Sequence, residues 1–488
     1  MCYKKKKYSR LEDMSEQEWN QLVSRVNSCP WRQTFHIQPI SGLLNDPNGF
    51  SFYNGEYHLF YQWHPLGPSH GLKYWYHTKS NDLVNWENVG IGLEPGDYFD
   101  SHGAYSGSAI EHNQNLYLFY TGNTRDENLV RHPYQCLAVM NLNGDISKFE
   151  KPIIEEVPKG YTEHFRDPKV WKEAGRFYAV IGAQRTDETG CTVLYSSVDL
   201  IEWMFEGEIK TKLDNFGYMW ECPDYFELQN NGVLLFSPQG LKASGENYRN
   251  IYQSGYLIGE KLDLQHKVFN HGSFIELDKG FDFYAAQTME DPNGRRILIG
   301  WMGLPEINYP TDENGWAHCL TIPREISIHG GKLKQSPILE LKSLRKTEFN
   351  AADSICNETK RYDGFSGVAY ELVCEFENGS AAEFGIEFRA NSDEKTIIKY
   401  DAVQRKVILD RTLSGKEFGL DYGTTRAFDI YLEKIKFHLF VDSSSVEIFV
   451  NEGVEVFTSR IFPSENSIDI RFFAMDGKAS FKAVKWDY

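Results

Sequence analysis

Short runs rich in aromatic and β-branched residues, separated by turn residues, fill the chain from about residue 39 to 337. Examples are Tyr57–Tyr61 and Leu116–Tyr120. Pairs such as Asn54-Gly55 and Asn293-Gly294, which favour turns, separate such runs, and no helical periodicity lies between them. The pattern predicts an all-β region.

Apolar residues alternate strictly in the last third of the chain. Phe384, Ile386 and Phe388 occupy every second position, and the run from 446 to 450 repeats the pattern. A period of two over several strands predicts an antiparallel sandwich with one buried face per sheet. We expect this β-sandwich over residues 355–488, after a linker at 342–354.

One helix is predicted, in an N-terminal extension over residues 1–30. Ser15 and Glu18 match a capping box. Trp19, Leu22 and Val26 then recur at helical spacing. We expect this short helix to pack on the rim of the main domain.

Polar landmarks recur through the main domain, residues 31–341. Asp46, Ser106, Asp167, Glu221 and Tyr284 are separated by 60, 61, 54 and 63 positions. Five similar units predict a five-bladed β-propeller, in which blades protect one another's strand edges. The spacing exceeds the ~40–50 residues usual for one blade, so we expect long loops on one face.

Three of these landmarks are carboxylates in unusual surroundings. Asp46 lies in the turn sequence Asn45–Gly49, Asp167 follows Arg166, and Glu221 lies among Trp220, Cys222 and Pro223. Each motif alone is typical of a simple turn. In a propeller, however, we expect the three carboxylates to lie close together, since equivalent blade edges meet at the axis.

Such a set fits glycoside hydrolysis, which needs a nucleophilic carboxylate and a carboxylic acid that protonates the leaving oxygen. The apolar neighbours of Glu221 favour its protonated form, which suits the acid. Arg166 should keep Asp167 ionised, which suits stabilisation of an oxocarbenium-like transition state. Asp46 then remains as the nucleophile.

Charge and composition indicate which class of partner the protein binds. The chain has 488 residues and a formal net charge of -18, and its one basic run, Lys4–Lys7, is interpreted as a solvated terminus. Nucleic acid is therefore not expected as a partner. A 15% share of aromatic residues suits sugar binding, because sugar C–H faces pack on rings.

The eight cysteines are scattered and form no Cys-x-x-Cys pair, which argues against a structural zinc site and a disulfide framework. The sequence shows neither a signal-peptide pattern nor an uninterrupted apolar stretch of ~18 residues. We therefore expect a cytoplasmic protein without a membrane partner.

The chain resembles the invertase and β-fructofuranosidase family, glycoside hydrolase family 32, almost end to end. Six segments match the family's motifs in order: Asn45–Gly49, Tyr105–Ser108, Arg166–Pro168, Glu221–Pro223, Phe283–Thr288 and Leu320–Glu325. Within the family the chain is most similar to bacterial sucrose-6-phosphate hydrolases. The segments Phe60–Pro65, His70–Trp75 and Arg131–Gln135 carry that similarity.

The resemblance implies a five-bladed propeller, a C-terminal β-sandwich and a retaining double displacement. Because the sequence shows no metal motif and carboxylates cover the chemistry, no cofactor or metal is expected. The resemblance also implies Asp46 as nucleophile, Glu221 as acid/base and Asp167 as transition-state stabiliser. The candidate contacts to the sugar substrate are Leu43, Leu44, Asn45, Gln62, Trp75, Tyr105, Ser106, Arg166, Tyr284 and Trp301.

A second set of residues could form a cationic pocket for a 6-phosphate or contact the leaving sugar. Arginine suits this role through its planar fork. The set comprises His70, Lys73, Arg125, Arg131 and His132. For each of them the alternative is a solvated loop charge.

The sequence thus predicts a retaining β-fructofuranosidase, monomeric or homodimeric, that hydrolyses sucrose and sucrose 6-phosphate. Short fructans of the inulin or levan type are the alternative substrates on the same site. An inverting enzyme of the same fold, such as an arabinan hydrolase, and a non-catalytic fructan-binding protein are the rival interpretations.

Overall fold

The computed structural model describes residues 7–431 and 433–488, so Lys4–Lys6 of the basic run lie outside the described residues. Residues 42–337 form five antiparallel sheets, blades I to V, arranged around an axis, which confirms the predicted propeller. From the axis outwards, the strands are Gly42–Tyr53, Glu56–His64, Tyr74–Ser80 and Trp86–Leu93 in blade I; Ala104–His112, Asn115–Arg125, Arg131–Met140 and Ile146–Lys148 in blade II; Tyr161–Glu173, Arg176–Arg185, Gly190–Ser197 and Trp203–Glu208 in blade III; Met219–Leu228, Asn231–Gln239, Gly255–Gly259 and Ile275–Glu276 in blade IV; and Tyr284–Glu290, Arg296–Met302, Arg324–His329 and Lys332–Pro337 in blade V.

Two short strands follow blade V's second strand. Trp316–Ala317 pairs in parallel with the start of Gly42–Tyr53, and Cys319–Leu320 pairs with the end of Arg296–Met302. A segment from the end of the propeller is thereby attached to its first blade, which closes the ring. The 3₁₀ helix Pro310–Asn314 lies just before this closure.

The five polar landmarks all lie on the innermost strands, one in each blade. At each landmark the pairing with the second strand shifts, as between Leu44 and Pro47 in blade I and between Glu221 and Asp224 in blade IV. Such bulges re-aim a side chain and interrupt pairing. The repeated bulge turns the landmark side chains towards the mouth of the axial funnel.

Below the bulges, polar side chains join each inner strand to the next. Asn48 of blade I accepts a hydrogen bond from Gly107 N of blade II at 2.9 Å, and Ser108 donates to Pro168 O of blade III at 2.9 Å. Further links join Lys169 to Asp224, Asp224 to Thr288, and Gln287 back to Phe50 and Gly107. This circuit of hydrogen bonds, which we call the axial ring, fixes the inner strands relative to one another.

The predicted helix is present as Glu16–Asn27, after a 3₁₀ turn at Leu11–Asp13. The Ser15 hydroxyl accepts a hydrogen bond from Glu18 N at 3.3 Å, and the Glu18 carboxylate accepts one from Ser15 N at 3.0 Å, which completes the capping box. Leu22 and Val26 are buried, and the Trp19 ring lies 6.2 Å from that of Trp63 of blade I. The helix therefore packs on the propeller.

The C-terminal domain is a sandwich built from one continuous sheet. Two 19-residue strands, Glu348–Ser366 and Asp469–Asp487, run through both layers, because the first half of the latter pairs with Glu383–Ala390 and the second half with Tyr370–Asn378. The remaining strands are Lys395–Asp401, Lys406–Leu413 and Thr425–Asp429 in one layer and Lys434–Asp442, Ser445–Val450 and Glu455–Arg460 in the other. The alternating apolar residues named above are buried between the layers.

The segment predicted as a linker, 342–354, contains little free chain. It includes the end of the 3₁₀ helix Leu339–Leu344 and the first residues of strand Glu348–Ser366. The connection between these elements is therefore three residues long. A further 3₁₀ helix, Leu420–Tyr422, lies within the sandwich. Across residues 7–431 and 433–488, no helix has the length and apolar character needed to span a membrane.

Candidate active site

A cavity of about 420 Å³ opens at the mouth of the funnel, within the size range of small-molecule sites. Asp46, Asp167 and Glu221 all line it, each from the inner strand of a different blade. Residues 176 positions apart thus become neighbours: Cys222 Sγ lies 3.7 Å from Oδ2 of Asp46 and 3.7 Å from Oδ2 of Asp167. The three predicted carboxylates form one cluster.

Asp46 is held by amide and hydroxyl donors. Ser106 donates a short hydrogen bond to its Oδ2, and Asn45 Nδ2 donates to Oδ1 at 3.1 Å. Gln62 Nε2 lies 3.5 Å from Oδ2 and donates to Ser106 Oγ at 2.5 Å. These contacts fix the orientation of the carboxylate while leaving it open to the cavity.

Asp167 adopts a left-handed backbone conformation, φ 67°, at the bulge of blade III. Aspartate tolerates this region better than most residues. Its amide donates to Thr121 Oγ1 at 3.0 Å, and its Oδ2 accepts from Cys222 N at 3.0 Å. The backbone of Asp167 is consequently tied to blade II and its side chain to blade IV.

Glu221 accepts hydrogen bonds from three side chains. Arg166 donates to Oε1 through Nε at 3.0 Å and Nη2 at 2.5 Å, whereas the Tyr284 hydroxyl at 2.6 Å and Gln239 Nε2 at 2.9 Å donate to Oε2. Both oxygens of Glu221 are therefore hydrogen-bonded within the protein.

The cluster does not titrate as three independent acids. Burial raises the pKa of Asp46, and it raises the pKa of Asp167 to about 7 against the opposing effect of Arg166. Burial would also raise the pKa of Glu221, but Arg166 and the Tyr284 hydroxyl outweigh it and hold that pKa below its usual value. Charges this close to one another cannot all form freely in a buried site.

This order reverses the electrostatic expectation drawn from the sequence. Arg166 was expected to keep Asp167 ionised, and apolar neighbours were expected to keep Glu221 protonated. That prediction is wrong here because the guanidinium turns away from its chain neighbour: Nε is 3.9 Å from Asp167 but Nη2 is 2.5 Å from Glu221. The sequence order of two residues does not set the direction of their side chains at a bulge.

Most of the predicted sugar contacts reach the cavity. Asn45, Gln62, Tyr105, Arg166, Tyr284 and Trp301 line it, while Ser106 lies behind Asp46 and bonds to it. Leu43, Leu44 and Trp75 correct the prediction, because they are at most 1% exposed and do not line the cavity. Trp75 instead donates from Nε1 to Tyr105 O at 3.0 Å, so it supports the wall from behind.

Two arginines of the predicted cationic set face the cavity and have no carboxylate partner within residues 7–431 and 433–488. Arg125 and Arg131 line the rim, and the Arg131 guanidinium lies 5.8 Å from the centre of the Tyr105 ring. Of the lysines and arginines that line the cavity, Arg166 alone forms an ion pair with a carboxylate of the described residues. Arg125 donates only to Leu129 O, at 2.8 Å, and its buried Nε has no partner among those residues.

The other three predicted phosphate contacts differ from expectation. His70 lines the cavity with an exposed side chain, and desolvation by the surrounding wall, together with Lys73, lowers its pKa. Lys73 Nζ lies 2.5 Å from Asn45 Oδ1, and burial lowers its pKa to about 7, which makes it a support for Asn45. His132 points elsewhere, 3.8 Å from Asp126, and does not line the cavity.

Several lining residues escaped the sequence reasoning. They are Lys7, Tyr8, Gly71, His164, Tyr218, Gln239, Tyr252, Pro305 and Glu306. His164 could have been found, since it lies two positions before Arg166 on one strand and so shares its face. Lys7, the one residue of the basic run within the described residues, differs from a simple solvated terminus because it forms part of the cavity wall.

Comparison with protein families gives two adjacent matches. The family model described as "Glycosyl hydrolases family 32 N-terminal domain" matches residues 36–337, the span of the propeller. The model described as "Glycosyl hydrolases family 32 C terminal" matches residues 340–487, the span of the sandwich.

Individual relatives match over nearly their whole length. A sucrose-6-phosphate hydrolase of Staphylococcus xylosus is 48% identical over 99% of this chain and 98% of its own, and one of Bacillus subtilis (strain 168) is 43% identical over 94% and 95%. The structure of sucrose-6-phosphate hydrolase from Lactobacillus gasseri superposes with a TM-score of 0.93 at 38% identity, covering 99% of this chain and 98% of that one. A mutant of Bombyx mori β-fructofuranosidase in complex with sucrose gives a TM-score of 0.82 at 32% identity, covering 96% and 98%.

Proposed function

Because this chain belongs to glycosyl hydrolase family 32, we propose that it is a β-fructofuranosidase whose preferred substrate is sucrose 6-phosphate. It would release the fructosyl unit by double displacement. The carboxylate cluster at the funnel supports the hydrolytic part of this proposal. The two unpaired arginines at the rim support the phosphorylated substrate.

The rim arginines are the main support for sucrose 6-phosphate as the substrate. The protein has 69 acidic and 51 basic residues, yet Arg125 and Arg131 have no carboxylate partner among the described residues. Burial and the neighbouring Arg166 lower the pKa of Arg131, so its charge is costly without an anion. A phosphate on the leaving sugar would supply that anion through charge-assisted hydrogen bonds.

In the first step, the Asp46 carboxylate attacks the anomeric carbon of the fructosyl unit while Glu221 gives its proton to the glycosidic oxygen. The bond between the anomeric carbon and the glycosidic oxygen breaks, the other sugar leaves with the proton on that oxygen, and the fructosyl unit remains as an ester on Asp46. Water then gives a proton to Glu221 and attacks the same carbon, which frees fructose and restores Asp46. Asp167, in its ionised form, stabilises the positive charge that develops in both transition states.

Glu221 must hold a proton before it can act as the acid, and Arg166 opposes this. The resemblance assigns Arg166 a contact to the fructosyl unit. A sugar hydroxyl that accepts an Arg166 N–H competes with Glu221 for it, which raises the pKa of Glu221. Hydroxyls that donate to Asp167 favour its ionised form at the same time. Substrate binding would thus establish the protonation states that the reaction needs.

The specificity constants, kcat/KM, on sucrose, sucrose 6-phosphate and inulin test the proposal side by side. We expect the highest value on sucrose 6-phosphate. Arg131→Ala should lower the ratio of sucrose 6-phosphate to sucrose by roughly 10- to 100-fold, the loss of one or two charge-assisted hydrogen bonds. Arg361→Ala, an exposed arginine in the sandwich, is the matched control and should leave the ratio unchanged.

A wild-type ratio near one, or an equal effect of Arg131→Ala on both substrates, would remove the phosphate assignment. A higher constant on inulin would favour a fructan hydrolase. Since a sugar phosphate does not cross a bilayer unaided, we also place the enzyme with its substrate in the cytoplasm.

A further inference from the structure

A short segment ahead of the helix, residues 7–13, lies across blades I and II at the edge of the cavity; we call it the arm. Lys7 and Tyr8 of the arm line the same cavity as the catalytic carboxylates. No part of the hydrolytic reaction proposed above uses either residue. Because both residues line the cavity, we ask whether they contact the leaving sugar.

Contacts at both ends hold the arm in place. Lys7 O accepts a hydrogen bond from Leu72 N at 3.0 Å, and Leu11 N donates to the Tyr74 hydroxyl at 3.1 Å. Arg10 forms an ion pair with Glu94 at 2.8 Å. The fit against blade I is close, since a Cβ on Gly71 would lie 2.5 Å from Lys7 O. The arm is thus a fixed part of the wall.

The two side chains lie close together at the cavity, with Lys7 Nζ 5.9 Å from the centre of the Tyr8 ring. The Tyr8 ring packs edge-on against His102, with centroids 4.8 Å apart, and both Tyr8 and Arg131 influence the pKa of Tyr105. Lys7 is close enough to Lys73 to lower the pKa of that lysine. The arm therefore bridges the space between the rim arginines and the Asn45–Lys73 pair.

Lys7, like the rim arginines, is a cation at the cavity without a carboxylate partner among the described residues. It is exposed at the cavity, forms no ion pair with the described carboxylates, and faces a wall that already holds Arg125, Arg131 and Lys73. Like charges gathered without partners repel one another. Binding of a phosphate dianion would relieve this repulsion for all of them together.

We propose that the arm is part of the leaving-sugar subsite, and that Lys7 and the Tyr8 hydroxyl bind the 6-phosphate together with the rim arginines. This inference rests on the proposed function, because it takes sucrose 6-phosphate as the substrate. It adds that selectivity for the phosphate is built partly from a segment outside the propeller.

Lys7→Met removes the charge and keeps the length of the side chain, and the arm's backbone anchors stay intact. The ratio of kcat/KM for sucrose 6-phosphate to that for sucrose should fall about tenfold, the loss of one charge-assisted hydrogen bond. Lys7→Arg should restore most of the ratio. Lys482→Ala, which removes an exposed lysine of the sandwich, should leave it unchanged.

Three outcomes would count against specific claims. An unchanged ratio in Lys7→Met, with a reduced ratio in Arg131→Ala, would overturn the role of the arm and leave the proposed function standing. An equal loss of kcat/KM on both substrates would mean that the arm has only a structural role, and it would also overturn the inference. A wild-type ratio near one would instead overturn the phosphorylated substrate itself.

Discussion

Arg166 stands between two carboxylates and determines which of them is the stronger acid. Its two hydrogen bonds to Oε1 lower the pKa of Glu221, whereas burial raises the pKa of Asp167 to about 7. Tyr284 acts in the same direction as Arg166, because its hydroxyl donates to Glu221 at 2.6 Å. The protonation of Glu221, the proposed acid/base, is consequently controlled by its immediate donors, more than by the apolar residues beside it in the chain.

Tyr284→Phe tests this control. Loss of the hydroxyl removes one donor to the Glu221 carboxylate, so the pKa of Glu221 rises and its protonated form persists to higher pH. The alkaline limb of the kcat profile, which reports the enzyme–substrate complex in which Glu221 holds its proton, should move to higher pH, while the maximum falls about tenfold as a charged hydrogen bond is lost. Tyr431→Phe, at a tyrosine that is 69% exposed, is the control. A limb that stays in place or moves to lower pH would contradict the assignment of Glu221.

Some residue positions could be predicted from the sequence and others could not. The landmarks were found because each marks an inner strand, and their polar character contrasts with apolar surroundings. The contact between Arg166 and Glu221 could not be predicted, because the bulges redirect side chains in a way that spacing does not encode. Lys7 was missed for another reason: a short basic run has no periodicity that ties it to a folded element.

Each inner strand combines two tasks within a few residues. The residue at the bulge lines the cavity or, as Ser106 does, supports a residue that lines it, and a residue one to three positions later joins the axial ring, as with Asp46 and Asn48 or Glu221 and Asp224. The motif segments thus carry structural links as well as chemistry. The sequence reasoning identified the first half of each motif, whereas the ring became visible only when the blades were placed side by side.

Asn48→Ala tests the axial ring. Asn48 is fully buried, donates to Asp46 O at 2.7 Å and accepts from Gly107 N at 2.9 Å, so its loss leaves buried polar groups unpaired. We expect the free energy of unfolding to fall by about 1–3 kcal/mol, with a loss of kcat as Asp46 shifts. Denaturant titration and steady-state kinetics measure the two effects.

The matched control for Asn48→Ala is Asn231→Ala. The Asn231 side chain also donates to a backbone oxygen, Gln229 O at 3.0 Å, but in an exposed turn. It should cost little stability and no activity. Equal losses in the two variants would show that the ring does not hold the inner strands.

At the scale of the whole molecule, a buried ionic network joins the propeller to the sandwich. Arg324 of blade V pairs with Glu447 of the sandwich at 2.5 Å and with Asp278 at 3.2 Å. His36, ahead of the first blade, contacts Asp442 at 2.8 Å and Glu447 at 3.0 Å. Buried charges of this kind are costly unless both partners are present, so each domain stabilises groups in the other.

His36→Gln tests this junction through pH. Burial alone would lower the pKa of His36, but Asp442 and Glu447 outweigh it and raise that pKa to about 9. In the unfolded chain it is about 6.5. The protonated ring therefore adds stability that is fully present below about pH 6.5 and is lost as pH rises through about 9; the shift corresponds to about 3 kcal/mol.

The wild-type melting temperature should exceed that of His36→Gln most near pH 6, and the difference should shrink by pH 9. Calorimetric scans across this range measure it. His266→Gln, at an exposed histidine paired with Asp263, serves as the control and should show no such trend. A difference that grew with pH would contradict a protonated His36 at the junction.

Domain order and architecture could be predicted because the period of two and the repeat of landmarks persist over hundreds of residues. The continuity of the sandwich sheet could not. It depends on two long strands that change layers, and the alternation in Asp469–Asp487 is the same whichever layer each half joins. The predicted linker extends seven residues into strand Glu348–Ser366, because that stretch is exposed or half-buried and carries few large apolar residues.

The central claim is that Asp46 forms a covalent fructosyl ester, so that the configuration at the anomeric carbon is inverted twice. Proton NMR of the sugar first released from sucrose tests it most directly, before mutarotation mixes the anomers. The account predicts that β-fructofuranose appears first. Initial release of the α anomer would mean a single displacement and would contradict a nucleophilic role for Asp46.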